Sequence, residues 1–299
     1  MDNKEFNEKY ESLKKSKFRQ QKLPGWRPIP TLSCVTIIFI SFAVFFILVG
    51  ILILVFTSQV KEVVVRYDRF KTNETDPFCR TDTTKPNSCQ ILVPEKMKKP
   101  IMIYYQVDDF SQNHRAYMES KSDKQLKGET VSPEDLKKQC EFGYLNDNEG
   151  NVPCGLMVKT YPDDKFKDWN IDGNETISLK VEGIAYETDK EKYKKLGADL
   201  SPFLINVTDE RFMIWMRPSP FKNPRKLWGI IDENDIVSEV SFNVELTYPY
   251  NKRYLILSTR NVFGGKSAFL GMFYIIFGIL CLIASIIVII SFSSFHKKK

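Results

Sequence analysis

Histidine is scarce in this chain. There are two among 299 residues, and only His114 lies between the two long apolar runs. A histidine-rich metal site is therefore excluded there, and a Ser-His-Asp triad would have to use His114 without the G-x-S-x-G turn, which is absent. No G-x-x-x-x-G-K-[ST] loop is present either. The sequence does not exclude a catalytic pair of carboxylates, as in glycosidases, among Asp108-Asp109 and Asp163-Asp164. Such acids are usually solvated loop residues. No catalytic and no metal-binding residue is predicted.

Charge is missing altogether from Pro28–Val60 and Ser267–Phe295. A bilayer core needs roughly 20 apolar residues per helical crossing, so these runs predict transmembrane helices at 31–58 and 267–293. The first run is longer than the roughly 7–15 apolar residues of a signal peptide, and no cleavage pattern follows it. The sequence therefore predicts a membrane protein with an uncleaved signal anchor. Without an ionisable group inside either helix, a transporter acting alone is disfavoured.

Basic residues are concentrated outside the two runs. Eight basic and four acidic residues precede Pro28, and three lysines end the chain, which leaves 32 basic and 33 acidic residues between the helices. By the positive-inside rule, the tails 1–30 and 294–299 are cytosolic and the middle is translocated. The net charge of +6 is then a signal of topology, and no nucleic-acid partner is predicted.

The middle, residues 59–266, is long enough for one extracytoplasmic domain. It holds four of the six cysteines, which allow three pairings. Short sequence separations favour the disulfides Cys79–Cys89 and Cys140–Cys154. A zinc site is disfavoured, because these cysteines lack the usual C-x₂-C spacing. Three N-glycosylation sequons also fall here, at Asn73, Asn174 and Asn206. N-linked glycans are expected, and no cofactor is.

The domain is predicted to be β-rich. Segments rich in β-branched and aromatic residues indicate strands, whereas Ser132 and Pro133 are typical of a helix start. The predicted strands are Ile101–Val107, Ile177–Tyr186, Arg211–Arg217, Val237–Tyr248 and Arg253–Arg260, and the predicted helices are Ser111–Ser120 and Pro133–Cys140. The expected architecture is two transmembrane helices flanking an antiparallel, sandwich-like β domain with short helical insertions.

Small residues recur every seven positions in both apolar runs. They are Thr36, Ala43, Gly50 and Thr57 in the first, and Gly271, Gly278 and Ser285 in the second. Such spacing places them on one helical face and permits close helix packing. The two helices are expected to pack on each other, on a partner, or both, and chance placement is the alternative.

Several ordered blocks resemble one known family. They are "KLPGWRPIP" before the first helix, "YYQVDDFSQNHRAYMESKSDKQLKG" (Tyr104–Gly128), "PCGL" (Pro153–Leu156), "GIAYETDK" (Gly183–Lys190), "FMIWMRPSPFKNPRKLWG" (Phe212–Gly229), "LTYPY" (Leu246–Tyr250) and "LSTRNVFGGKSAFLG" (Leu257–Gly271). The chain is similar to the Cdc50/Lem3-type accessory (β) subunits of phospholipid-flipping P-type ATPases of the fourth class. This resemblance covers nearly the whole chain.

The resemblance implies a non-catalytic subunit that pairs with the ATPase as a heterodimer in contact with membrane lipids. It implies a role in the ATPase's exit from the endoplasmic reticulum, its stability and the movement of aminophospholipids to the cytosolic leaflet. Expected locations are the endoplasmic reticulum, Golgi and endosomal membranes and the plasma membrane, with both termini cytosolic. The alternatives are a two-helix ligand-gated channel subunit, disfavoured by the uncharged helices, and a membrane-anchored hydrolase dependent on His114.

Partner contacts are predicted at three levels. In the ectodomain, Tyr104, Tyr105, Phe110 and Trp215 are candidate aromatic anchors, although the hydrophobic core is the stronger expectation for them. Near and within the membrane, the candidates are Gly264, Gly265, Gly271 and Gly278. On the cytosolic side, Pro24, Pro28 and Pro30 favour an extended, stiff segment. Either it is a plain interfacial anchor, or it is a strap that docks on the ATPase through Leu23, Pro24, Trp26, Arg27 and Pro28.

Overall fold

The structure, a computed structural model, describes residues 3–22, 25, 31–71, 78–82, 85–140, 153–173, 175–194, 205–246 and 252–297. The five predicted strap residues lie outside this set, as do Asn73 and Asn174. The chain divides into two compact units, Met1–Leu52 with Phe269–Lys299 and Ile53–Ala268. Each unit is described separately.

The first unit is helical. Two helices, α2 (Leu32–Ser58) and α9 (Phe269–Lys297), carry windows with mean hydropathies of 3.3 and 3.1, and both are long and apolar enough to cross a membrane. α9 begins two residues later than predicted and continues past 293. A short amphipathic helix near the N-terminus, α1 (Asn3–Lys15), was not anticipated by the sequence reasoning.

The second unit is built on one hydrogen-bonded sheet, in the order β6-β5-β8-β3-β2-β1-β9-β4-β7. The described pairs are antiparallel except for β1–β2, which is parallel. The strands are β1 (Glu62–Lys71), β2 (Phe78–Asp82), β3 (Lys85–Leu92), β4 (Ile101–Val107), β5 (Lys165–Ile171), β6 (Glu175–Thr176), β7 (Arg225–Ile231), β8 (Glu239–Glu245) and β9 (Arg253–Thr259).

The sheet folds over itself. Phe166 of β5 lies 5.1 Å from Tyr67 of β1 and 5.0 Å from Trp228 of β7, ring centroid to centroid, although both strands are remote from β5 in the sheet order. The two halves thus face one another around a buried aromatic core, as in a β-sandwich. Inward residues alternate with outward ones along β8, which lies within the predicted strand Val237–Tyr248.

Within the described residues, six short helices lie in the connections between strands. They are α3 (Arg115–Glu119), α4 (Asp123–Leu126), α5 (Pro133–Gln139), α6 (Leu156–Lys159), α7 (Glu187–Lys192) and α8 (Glu210–Trp215). α5 starts as predicted, with Pro133 in its first turn and Ser132 Oγ accepting a hydrogen bond from the Asp135 N–H.

Two strand predictions are wrong. Most of Arg211–Arg217 lies in α8, because Asp209 caps a helix there by accepting a hydrogen bond from the Arg211 N–H. A short apolar run does not distinguish a buried helix from a strand. Within Ile177–Tyr186, only Lys180 makes a strand-like bridge, to Ile230.

Candidate interaction site

Four of the sequence blocks that carry the family resemblance contact one another in the described part of the sheet unit. The block Tyr104–Gly128 supplies two buried polar side chains that hold "PCGL": Gln125 Oε1 accepts from the Cys154 N–H at 2.9 Å, and Ser120 Oγ accepts from the Leu156 N–H at 3.1 Å. Gly155, between them, has φ +121°, and a Cβ there would overlap the Ser120 carbonyl. Only glycine fits this contact.

Trp215 lies at the centre of the next contact. Its Nε1 donates to the Met157 carbonyl at 2.8 Å, and its own carbonyl accepts from Gln112 Nε2 at 3.3 Å. Gln112 is fully buried, and its Oε1 accepts from the Ser219 N–H at 2.9 Å. The Gln112 side-chain amide thus uses both its nitrogen and its oxygen in hydrogen bonds. It holds Trp215 and Ser219 in position, because losing either bond would leave a buried polar group without a partner, which costs free energy of folding.

The predicted aromatic anchors belong mainly to this core. Tyr105 and Trp215 are buried, and Phe110 stacks on Trp215 with centroids 5.8 Å apart. Tyr104 is half-buried, with the Arg225 guanidinium 4.7 Å above its ring. The expectation that most of them are core residues is confirmed.

Glu210 joins "GIAYETDK" to the start of α8. Its carboxylate accepts from the backbone N–H groups of Gly183, Ile184 and Ala185 at 2.9, 2.7 and 2.7 Å, and Lys190 lies 3.1 Å away. Burial alone would raise the pKa of Glu210. The three N–H donors and the Lys190 ammonium outweigh burial and hold the pKa below its ordinary value. Sequence reasoning missed this residue, although Asp209-Glu210 is a helix-start signal.

Some aromatic side chains of these blocks are exposed. Tyr186 is 64% exposed, and the Arg217 guanidinium lies 4.0 Å above its ring. Arg217 also forms an ion pair with Asp189. Phe221, in the same block as Arg217, is 79% exposed. Exposed aromatics with a fixed arginine are frequent contact residues in protein interfaces.

A buried ion pair links the two halves of the sheet. Arg253 Nη1 donates to Asp164 Oδ2 at 2.5 Å, and the Tyr67 hydroxyl donates to the same oxygen at 3.0 Å. All three side chains are buried. Burial, followed by the negative charge of Asp164, raises the pKa of Tyr67 well above its usual range. Asp164 is therefore a structural residue of the core, and the expectation of a solvated loop acid is wrong for it.

The disulfides close two local loops. Cys79 is bonded to Cys89 and Cys140 to Cys154, which are the pairs favoured by sequence separation. Cys34 and Cys281, in the apolar helices, are free thiols. Within the described residues, no group of three His, Cys, Asp or Glu is placed to hold a metal ion.

In the helical unit, Gly50, Gly271 and Gly278 lie where α2 and α9 contact each other. A Cβ on Gly50 would be 2.7 Å from Ile275 Cγ1 and 2.8 Å from the Gly271 carbonyl oxygen, and one on Gly278 would be 2.7 Å from Ile47 Cγ1. Of the alternatives, the structure therefore shows packing of the two helices on each other. Gly271 and Gly278 are buried in this contact, and a partner contact at these glycines stays a prediction.

Gly264 and Gly265 lie in the turn that precedes α9. Gly264 (φ +105°) exchanges two backbone hydrogen bonds with Asn261, of 3.0 and 3.1 Å. Gly265 follows it, and a Cβ added there would have none of the described atoms within 4 Å. The pair forms a tight turn, and its predicted contact with a partner stays a prediction.

Comparison with known proteins places these blocks in a family. The model of the LEM3 (ligand-effect modulator 3) / CDC50 family matches residues 53–298. The chain belongs to the LEM3/CDC50 family. Its two apolar helices and its family make it an integral membrane protein.

Relatives in this family are similar along most of their length. ALA-interacting subunit 3 of Arabidopsis thaliana is 33% identical, over 91% of this chain and 84% of the relative. Cell cycle control protein 50A of Bos taurus is 28% identical, over 91% and 87%. The phospholipid-transporting ATPase accessory subunit LEM3 of Saccharomyces cerevisiae is 28% identical, over 96% and 84%.

Proposed function

We propose that this chain is the accessory subunit of a phospholipid-transporting P-type ATPase, with which it forms a heterodimer. The observation that carries the proposal is the family match across residues 53–298, which includes the sheet unit and all of α9. It is supported by two yeast relatives whose names are those of phospholipid-transporting ATPase accessory subunits. The ligand-gated channel alternative has no comparable support.

The subunit has no catalytic step of its own in this proposal. It accompanies the ATPase out of the endoplasmic reticulum, stabilises it, and supports the movement of aminophospholipids from the exoplasmic to the cytosolic leaflet. The buried Gln112 and Gln125 and the half-buried Glu210 all bond backbone groups, which supports a rigid binding scaffold. The complex is located in the endoplasmic reticulum, Golgi and endosomal membranes and the plasma membrane.

Both termini are cytosolic in this proposal, and the sheet unit is extracytoplasmic with glycans on Asn73, Asn174 and Asn206. The charge distribution along the sequence supports this orientation. Asn206 is exposed, and its Oδ1 accepts from Thr208 Oγ1 at 2.7 Å, within the sequon. Endoglycosidase digestion of the full chain, compared with the three Asn→Gln variants, tests the side of the membrane and the sites used.

Co-purification tests the heterodimer. A tagged full chain extracted in mild detergent is expected to retain a P-type ATPase, identified by mass spectrometry, and its removal from cells is expected to reduce aminophospholipid uptake. A chain that is recovered alone under conditions that preserve membrane complexes, with uptake unchanged after its removal, would contradict the proposal.

The cytosolic strap has its own test. Trp26→Ala is expected to reduce the ATPase recovered with the chain while membrane insertion, measured by carbonate extraction, is unchanged. Tyr10→Ala, which removes an exposed aromatic from α1, is the matched control. Reduced insertion with normal assembly of the inserted molecules would instead identify the segment as a plain membrane anchor.

A further inference from the structure

A cationic groove lies at one end of the sheet unit. It has a volume of about 330 Å³, and its lining includes five basic residues and no acidic one: Lys61, Lys96, Lys98, Lys99 and Arg260. This volume is at the lower end of those found for small-molecule sites. Five cations around one concavity create a local positive potential that attracts anions.

The walls of the groove are held by backbone contacts. Lys61 is fixed to the end of β9, because its N–H donates to Thr259 Oγ1 at 2.9 Å and its carbonyl accepts from the Thr259 N–H at 2.9 Å. The lysine-bearing loop is anchored by buried Met97, which exchanges hydrogen bonds of 2.8 and 3.0 Å with Ile236. Cations on such walls need little reorganisation to bind a ligand.

Two of the five cations are available to a ligand, because Lys61 and Lys96 pair with carboxylates and Lys99 Nζ donates to the Glu233 carbonyl at 2.8 Å. Lys61 pairs with Glu95, and Lys96 pairs with Asp235, whose carboxylates both lie outside the groove lining. Lys98 and Arg260 are exposed, and neither contacts a carboxylate within the described part of the chain. The groove therefore keeps an excess of positive charge after its internal pairs are counted.

Chain connectivity places this groove at the membrane surface. Lys61 follows the last residue of α2 by three positions, so it is at most about 11 Å from the helix end. α2, at 27 residues, is about 40 Å long against a hydrocarbon core of about 30 Å. Its end therefore reaches the layer of lipid headgroups.

An apolar turn adjoins the groove. Asn261, which lines the groove, bonds the Phe56 carbonyl in the last turn of α2, and the next residues, Val262 and Phe263, are 89% and 48% exposed. Exposed apolar side chains next to basic ones are typical of surfaces that bind the interface of an anionic membrane. This combination favours a lipid over an acidic protein segment as the occupant.

We propose that this groove binds the phosphate-bearing headgroup of an anionic phospholipid in the leaflet that the sheet unit faces, with Lys98 and Arg260 as the main contacts. The inference is independent of the proposed ATPase partnership, because the groove is formed by this chain alone. It is therefore tested on the purified full chain, without an ATPase.

The probe is phosphatidylserine, titrated into the detergent-solubilised full chain and followed by native mass spectrometry, with phosphatidylcholine as the zwitterionic comparison. Wild-type chain is expected to bind phosphatidylserine more tightly than phosphatidylcholine. The double variant Lys98→Gln/Arg260→Gln is expected to bind phosphatidylserine about thirtyfold more weakly, since each basic residue near an anionic headgroup contributes roughly fivefold. Lys137→Gln/Lys138→Gln, which removes two exposed charges from α5, is the control and should change binding less than twofold.

Two results would overturn the proposal. They are equal binding of phosphatidylserine by Lys98→Gln/Arg260→Gln and wild type, and equal and salt-independent binding of the two lipids by wild type. If the double variant does not fold, wild-type binding measured at 0.05 and 0.5 M NaCl decides, since the proposed contact weakens with salt.

Discussion

Asn261 Nδ2 donates a hydrogen bond of 2.7 Å to the carbonyl oxygen of Phe56, and the two residues are 205 positions apart in the chain. Phe56 lies in the last turn of α2, where carbonyl groups have no partner within the helix. Asn261 also accepts the Phe263 N–H on its Oδ1 at 2.8 Å. One side chain thus caps a helix and closes the turn before α9.

Asn261→Ala is expected to lower the free energy of unfolding by about 1–3 kcal/mol, because two hydrogen bonds of roughly 0.5–1.5 kcal/mol each are lost. Asn261→Asp keeps the acceptor for Phe263 but loses the donor to Phe56, so it isolates the cap. Thermal unfolding of the full chain in detergent is the measurement. Asn113→Ala, which loses one exposed bond to Pro220, is the control. An Asn261→Ala variant as stable as that control would contradict the capping role.

Gly50 and Gly278 test the contact between the apolar helices. Gly50→Ala and Gly278→Ala each place a methyl group against backbone of the facing helix, so each is expected to cost about 1–3 kcal/mol by overpacking. The measurement is the thermal denaturation midpoint of the full chain. Gly265→Ala, whose Cβ meets no described atom within 4 Å, should leave it unchanged. Equal midpoints for all three variants would mean that the helices do not pack through these glycines.

Gly155 tests the contact between two similarity blocks. Gly155→Ala is expected to prevent correct folding, because its Cβ overlaps the Ser120 carbonyl as well as being strained at φ +121°. Gly183→Ala has a comparable φ of +77° but open space around its Cβ within the described chain, so it is expected to cost only about 1–2 kcal/mol. Yields of full chain with both disulfides, compared on non-reducing gels, separate the two. Similar yields for the two variants would show that the positive φ, and not the overlap with the Ser120 carbonyl, is what requires glycine at position 155.

Glu210 predicts a dependence of stability on pH. Its pKa is lowered in the folded chain, so its contribution is fully present above the unfolded value of about 4.3 and is lost as the pH falls through the folded value. Glu210→Gln is expected to be less stable than wild type by about 2–3 kcal/mol at pH 7, because charged hydrogen bonds are replaced. The difference should narrow as the pH is lowered below about 4.

Thermal unfolding of the two chains from pH 3.5 to pH 7 measures this effect. Glu134→Gln, an exposed residue of α5, is the control and should follow wild type at every pH. A Glu210→Gln deficit that is constant across the range would mean that the carboxylate charge is not what holds Gly183, Ile184 and Ala185.

Local sequence signals predicted part of this structure. β4 coincides with the predicted Ile101–Val107, and α5 with the Ser132-Pro133 start, because propensity, capping and burial agree there. β1 was not predicted, for two reasons. Its charged residues obscure the strand pattern, although Arg66 and Asp68 neutralise each other in an ion pair of 2.6 Å. It also follows a membrane helix directly, without a turn signal before it. α8 was misread because "FMIWM" is buried nearly all round.

The interaction site was less predictable than the fold. Gln112 and Gln125 are buried, against the usual exposure of glutamine, and their partners lie 103 and 29 positions away. The groove likewise joins residues 61, 96–99 and 260, which only the pairing of β1, β4 and β9 brings together. No periodicity within a single segment carries such information.

The adjacency of β1 and β9 also determines the order of folding during synthesis. β1 emerges directly after α2, but its partner β9 is the last strand of the sheet, and the Lys61–Thr259 contact spans 198 positions. At roughly 5–20 residues per second, β1 waits about 10–40 s for that partner. Throughout this interval one edge of the strand stays unpaired and open to aggregation or chaperone binding. The central ladder of the domain is therefore completed last, shortly before α9 enters the membrane.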